Sequence, residues 1–217
     1  MSAMISLSEM LKTQIEASKT FIPESTSKFI RVEGNKFVDN AGGMAAYIDA
    51  VILDFIQVNS FYKGAFNPAV KQLPICVAIG LDETTDLKPI KESPMPQHGG
   101  TCGTCPHNEW GSGSGKGKRC KNSYRVAVIP PGETDPKQIK LLNVPPASMA
   151  NLVKYIRTLR AADQWLPMAV TRIAFDQTTT YSKLTFAHAR PTENLDALNA
   201  AYQEAQTLLR EPFGMKD

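Results

Sequence analysis

The stretch Ile48-Asp-Ala-Val-Ile-Leu-Asp-Phe-Ile-Gln-Val-Asn-Ser-Phe61 is long, apolar and rich in β-branched and aromatic residues. It reads as one long or bent strand, with a helix at its start as the alternative. Upstream, Lys28 to Val38 alternates around Glu-Gly-Asn and predicts a β-hairpin. Further upstream, Leu7, Leu11 and Ile15 recur at fourfold spacing and predict a short helix over Ile5–Ser18. Downstream, Ile75–Leu81 predicts a strand, followed by a polar, Pro-rich excursion to Gly100. Tyr124–Ile129 and Gln138–Val144 read as strands joined across a Pro-Pro-Gly-Glu turn. From Ser148 the period changes: Met149, Leu152, Val153, Ile156 and Leu159 fall on one helical face, with Ser148 as the expected N-cap. Met168–Phe175 and Tyr181–His188 read as a second hairpin, and a helix closes the pattern over about 192–210. Many short strands, one inserted helix and terminal helices describe a β-rich α+β barrel or sandwich. With no internal repeat and no linker, residues 1–217 read as a single domain.

The chain has 217 residues and a formal net charge of +3. That charge permits a nucleic-acid partner without demanding one, so any basic face has to come from local clustering. No apolar stretch approaches the roughly 20 residues needed to span a bilayer, and the amphipathic N-terminus lacks a signal-peptide core. The expectation is a cytoplasmic protein with no membrane partner, in which thiols stay reduced and favour metal over disulfide.

The chain's four cysteines are Cys76 and three in one loop at about 98–122: Cys102-Gly-Thr-Cys105-Pro-His-Asn-Glu-Trp110-Gly-Ser-Gly-Ser-Gly-Lys116-Gly-Lys118-Arg119-Cys120-Lys121. A C-x2-C turn aims two sulfurs at one point, and the glycine tract lets Cys120 return to them. Cys76, from a neighbouring strand, would complete a tetrahedral structural Zn2+ site and staple the loop to the sheet. His98 and His107 compete for that fourth place, and a purely structural core role for Cys76 is the bland alternative.

The same loop carries Lys116, Lys118, Arg119 and Lys121, with Arg125 just beyond, against the single acid Glu109. A charge run of this kind often marks nothing more than a solvated face. Here aromatics interleave with the cations: Tyr62-Lys63, Trp110, Tyr124-Arg125, and Tyr181-Ser-Lys183. Cations displace counterions from phosphates and flat rings stack on bases, the mixture a single-stranded nucleic-acid groove needs. Trp110 has a second reading, as a lid over the metal site. Enzyme signatures are thin. Gly113–Lys118 lacks phosphate-loop spacing, the three histidines are scattered, and strand alternation would put Asp49 and Asp54 on opposite faces. A non-catalytic protein is expected.

Pro74-Ile-Cys76, the C-x-x-C-P-x-N-x-W-G-S run from Cys102, and Gly-Lys-Gly-Lys-Arg-Cys120 together resemble a group of tailed-bacteriophage proteins. Val144-Pro-Pro-Ala-Ser148 and the segments Val170–Phe175 and Tyr181–Phe186 resemble the same group, so the likeness spans residues 46 to 190. The group is similar to phage single-stranded-DNA-binding proteins of the OB-fold type, some of which carry a zinc-stapled loop. The resemblance implies a five-stranded Greek-key barrel with a groove for single strands. It further implies a role in DNA replication or recombination in the cytoplasm of the infected bacterial host, with phage or host replication proteins as further partners. One departure stands out: such proteins commonly end in an acidic tail, whereas this chain ends Arg-Glu-Pro-Phe-Gly-Met-Lys-Asp. The alternative function is a zinc-stapled protein-interaction factor acting on host transcription or replication proteins.

Overall fold

The computed structural model describes residues 28–38, 42–64, 72–80, 87–96 and 100–212. The helix expected over Ile5–Ser18 and the ligand candidate His98 lie outside the described residues. The strands are β1 (Arg31–Glu33), β2 (Lys36–Val38), β3 (Met44–Ala45), β4 (Tyr47–Phe61), β5 (Cys76–Gly80), β6 (Lys121–Ile129), β7 (Lys140–Val144), β8 (Ala169–Phe175) and β9 (Leu184–Pro191). Two α-helices accompany them, an inserted helix over Pro146–Ala161 and a C-terminal helix over Asn199–Arg210. The fold is β-rich α+β. The small sheet runs β1-β2-β3 and the large one β7-β6-β4-β8-β9, with β5 also on β4, and the strand pairs are antiparallel.

The long apolar stretch is the axis of the large sheet. One side of β4 pairs with β6, from Val51 to Ser60. The other side is shared between β8, over Tyr47–Val51, and β5, over Gln57–Phe61. Both sheet faces are covered, so the strand reads as a near-continuous apolar run with little alternation. A register shift between Ile52 and Asp54 marks a bulge where the strand changes partners. That bulge breaks the strict alternation applied to Asp49 and Asp54. The fold uses both carboxylates: Arg172 grips Asp49 through two bonds of 2.8 Å, and Asp54 accepts from Gln206 of the C-terminal helix.

One face of the sheet packs Ile52, Val126, Leu142 and Ile173 against Leu152, Tyr155, Ile156 and Leu159 of the inserted helix. The opposite face packs Val51, Leu53, Ile56, Val58, Ala127 and Leu141 against Leu198 and against Ala201, Ala205, Leu208 and Leu209 of the C-terminal helix. The two alanines lie one turn apart and are fully buried, so the backbone approaches the sheet closely. Each buried leucine contributes about 2 kcal/mol of hydrophobic stabilisation.

Gly34 and Asn35 have positive φ (53° and 60°), which gives the β1–β2 hairpin the two-residue turn that suits strand twist. Phe29 and Ile30 leave that hairpin and lie along β7, where the Ile30 N–H donates to Leu141 at 2.8 Å. Ser148 is not the helix cap. Pro146 occupies the first helical position, whose amide needs no partner, and Pro145 caps it. The buried Ser148 hydroxyl instead accepts from the Leu184 N–H at 2.8 Å and ties the helix to β9.

Candidate metal centre and basic loop

Cys76 opens β5 and stands opposite Phe61, the last residue of β4. The Pro-rich segment then runs back along β5: Ile90 N–H donates to Val77, Met95 N–H to Ile75, and the Ser93 hydroxyl bridges both polar groups of Val77. This docks Leu87, whose carbonyl accepts from Cys102 N–H at 2.7 Å and so fixes the start of the loop.

Two short 3-10 turns follow, Cys102–Thr104 and Pro106–Asn108. They set Cys102 and Cys105 close in space, as a C-x2-C turn requires. The Asn108 side chain donates back to the Cys102 carbonyl at 2.8 Å, locking the turns together. Cys120 returns to them through its N–H, which donates to the His107 carbonyl at 2.8 Å. The glycine tract between is folded rather than slack. Gly111 and Gly113 both donate to the Gly117 carbonyl, and a Cβ on Gly113 would sit 2.9 Å from the Lys118 backbone. The Ser112 hydroxyl donates to the Glu109 carbonyl at 2.7 Å and accepts from Arg119 N–H at 3.1 Å.

All four cysteines line one cavity of about 20 Å³, with Asn59, Phe61, His107 and Asn108 among its walls. That volume suits a single small occupant. Cys76, Cys102 and Cys120 are buried. Burial pushes the Cys102 thiol up; a bond from Asn59 opposes this, and Cys76 and Cys105 raise it further. Burial likewise pushes Cys120 up to about 12, with Cys102, Cys105 and Cys76 adding to the rise and Lys118 opposing it. Neighbouring thiols thus reinforce burial at Cys102 and Cys120, and a cation among them would reverse the preference for the neutral form. Four soft donors around one buried cavity fit a thiophilic ion. Among the described residues, no group of three or more His, Cys, Asp or Glu side chains is already drawn together as a metal cage. The donor set and the shared cavity carry the fit. His107 lines the same cavity, its ring stacked on Phe61 at 4.3 Å between centroids.

The expected nucleic-acid contacts divide. Trp110 is 80% exposed, with the Lys118 ammonium 5.2 Å from its ring centre. Lys116, Arg119 and Lys121 are exposed on the same loop, and Arg119 lies over the Phe61 ring at 5.7 Å. Lys63 is exposed and Tyr62 half-buried just beyond Phe61. Tyr181 and Lys183 belong to a different site, the β8–β9 connection. There Tyr181 is exposed, Lys183 pairs with Asp176 at 3.2 Å, and Ser182 donates to Asn35 at 2.6 Å.

Two expected contacts are corrected outright. Tyr124 is 3% exposed and packs edge-on against Phe55, inside the core under the inserted helix. Arg125 is 1% exposed and donates to the carbonyls of Leu209 and Glu211 at 2.9 and 2.5 Å. Burial lowers its pKa to about 10, opposed by Glu211. The sequence pattern does not single out Asn59 or Asn108, although Asn108 is the fixed asparagine of the C-P-x-N run, and it groups Phe61 with the aromatics beside cations rather than with the cysteine cavity. Compared with protein-family models, curated proteins and solved structures, the chain matches none.

Proposed function

We propose that this chain is a non-catalytic single-stranded-DNA-binding protein of a bacteriophage replication or recombination system, built on an OB-type barrel and working in the cytoplasm of the infected host. The observation that carries the reading is the exposed Trp110 ring, with Lys118 over it, on a loop that also carries the exposed Lys116 and Arg119 and whose pose is fixed by packing and hydrogen bonds. Stacking a base on an aromatic ring contributes about 1–3 kcal/mol and tolerates any sequence. Lys116, Arg119 and Lys121 supply the counterion-release term. The strand arrangement supports the barrel: β4 is shared between β6 and β8, and a helix is inserted between β7 and β8. The Trp110 loop then belongs to the connection between the first two barrel strands, one of the two loops that flank the ligand face in OB-folds.

Cys76, Cys102, Cys105 and Cys120 would hold a structural Zn2+. When bound, the ion supplies folding free energy and no chemistry. Asn108, His107 and Phe61 do the rest from this chain's own atoms, closing the cavity and orienting the loop. Among the described residues, no helix is long and apolar enough to cross a membrane.

One observation favours the second reading, a zinc-stapled factor acting on host transcription or replication proteins. Trp165, Met168 and Leu195 are exposed around a groove that Tyr202 also lines. A fluorescence titration with oligo-dT at two salt concentrations separates the readings. Quenching with an affinity that falls as salt rises supports the first reading; no binding below about 10 μM, or binding indifferent to salt, overturns it.

A further inference from the structure

The loop cations are not equivalent. Lys116, Arg119 and Lys121 are exposed, whereas Lys118 is half-buried. Its ammonium sits 3.3 Å from Asn108 Oδ1, and the same Asn108 amide donates to the Cys102 carbonyl at 2.8 Å. Lys118 also lies over one side of the Trp110 ring and stands two residues before Cys120. One side chain thus meets the exposed aromatic directly and the knuckle through Asn108, close in sequence to the return of the loop.

The charge of the centre makes this placement consequential. Four thiolates around a divalent ion leave a net double negative charge, which a buried site must compensate. The basic character of the loop therefore has two consumers, the centre beneath it and any phosphate above it. Lys118, half-buried and held to Asn108, is placed for the first; its exposed neighbours are placed for the second. With Lys118 on one face of the indole, the opposite face is left for a base.

We propose that Lys118 is a positioning residue that couples the four-cysteine centre to the Trp110 platform, compensating the thiolate charge from its place on Asn108 while holding the indole under its own ammonium. The inference rests on the zinc reading above and deepens it. It differs from a plain basic-patch view by assigning Lys118 to the metal rather than to phosphate.

The test uses the full-length chain with Trp165→Phe, so that Trp110 is the only emitter. Zinc affinity is measured by competition with a chromophoric chelator in the absence of DNA, alongside Trp110 emission. Lys118→Met should weaken zinc binding about 10- to 100-fold, the range seen when outer-shell partners of metal ligands are removed, and should shift Trp110 emission. Lys118→Arg should restore most of the affinity, and Lys116→Met should leave both readouts at the parent value while lowering the salt dependence of oligo-dT binding. Parent-like zinc affinity in Lys118→Met, or equal losses in Lys118→Met and Lys116→Met, would overturn the inference with the zinc reading intact. A parent protein that fails to compete for zinc at all overturns both.

Discussion

The sheet face under the C-terminal helix and the loop from Cys102 to Cys120 draw on one basic stretch of sequence and put it to opposite uses. Arg125 points into the protein and holds the end of the C-terminal helix by two carbonyls. Lys116, Arg119 and Lys121, a few residues earlier, face solvent. The surface beneath the helix is aliphatic: Val51, Leu53, Ile56, Val58, Ala127 and Leu141. The ring that packs against it, Phe29, lies under the Arg125 guanidinium at 5.6 Å. The helix over it buries Leu208 and Leu209 almost completely, so it is part of the core. This sealing pushes the proposed single-strand contacts off that face of the sheet and onto the loop rim. Positive charge in a sequence thus says little about binding until its burial is known.

The contrast is broken most severely at the loop. Cys105→Ser removes one donor of the proposed centre. Metal content should fall from one ion per chain toward zero, and the loop amides should lose hydrogen-exchange protection while the strands under the C-terminal helix keep theirs. Full metal stoichiometry in this variant would remove Cys105 from the ligand set.

Arg125→Met tests the other side. It leaves two helix-end carbonyls without their charged donor, at a cost of about 2 kcal/mol. A lower Tm by calorimetry is expected, with the salt slope of oligo-dT binding unchanged. A reduced slope with unchanged Tm would restore Arg125 to the phosphate contacts.

The smallest expected effect lies at the β8–β9 connection, the site that sequence grouped with the loop. Bonds from the Thr178 hydroxyl and amide, then Lys183, hold the Asp176 carboxyl down at about 2, against an ordinary 3.8. A depressed carboxylate stabilises the folded state above pH 3.8, and the contribution is lost as the pH falls through about 2. Asp176→Asn should therefore lower Tm slightly at pH 6, and the gap should shrink as the pH falls through about 2. A Tm gap as large at pH 2 as at pH 6 would show that the turn depends on something other than this charge.

Much of the fold was legible because it depends on local rules. The β-branched run of β4, the Gly34-Asn35 turn and the apolar stripe of the C-terminal helix each carry their own signal. The cysteine constellation was legible in the same way: C-x2-C spacing constrains two sulfurs whatever surrounds them, and the glycines announce a return. The Ser148 cap failed because proline at the first helical turn competes with it, a local signal given too little weight. The misreading of Asp49 and Asp54 had a different cause. A bulge depends on which strands flank β4, and no residue within the run announces it.

The sequence by itself determined the strand-rich class, the element order, and the cysteines that converge on one cavity. Tertiary structure alone decided which charges and rings face solvent. Tyr124 and Arg125 read like a groove motif, yet the partners that bury Arg125 lie 84 and 86 residues downstream. Spacing and propensity act over a few residues, whereas burial depends on what the whole chain packs above a position.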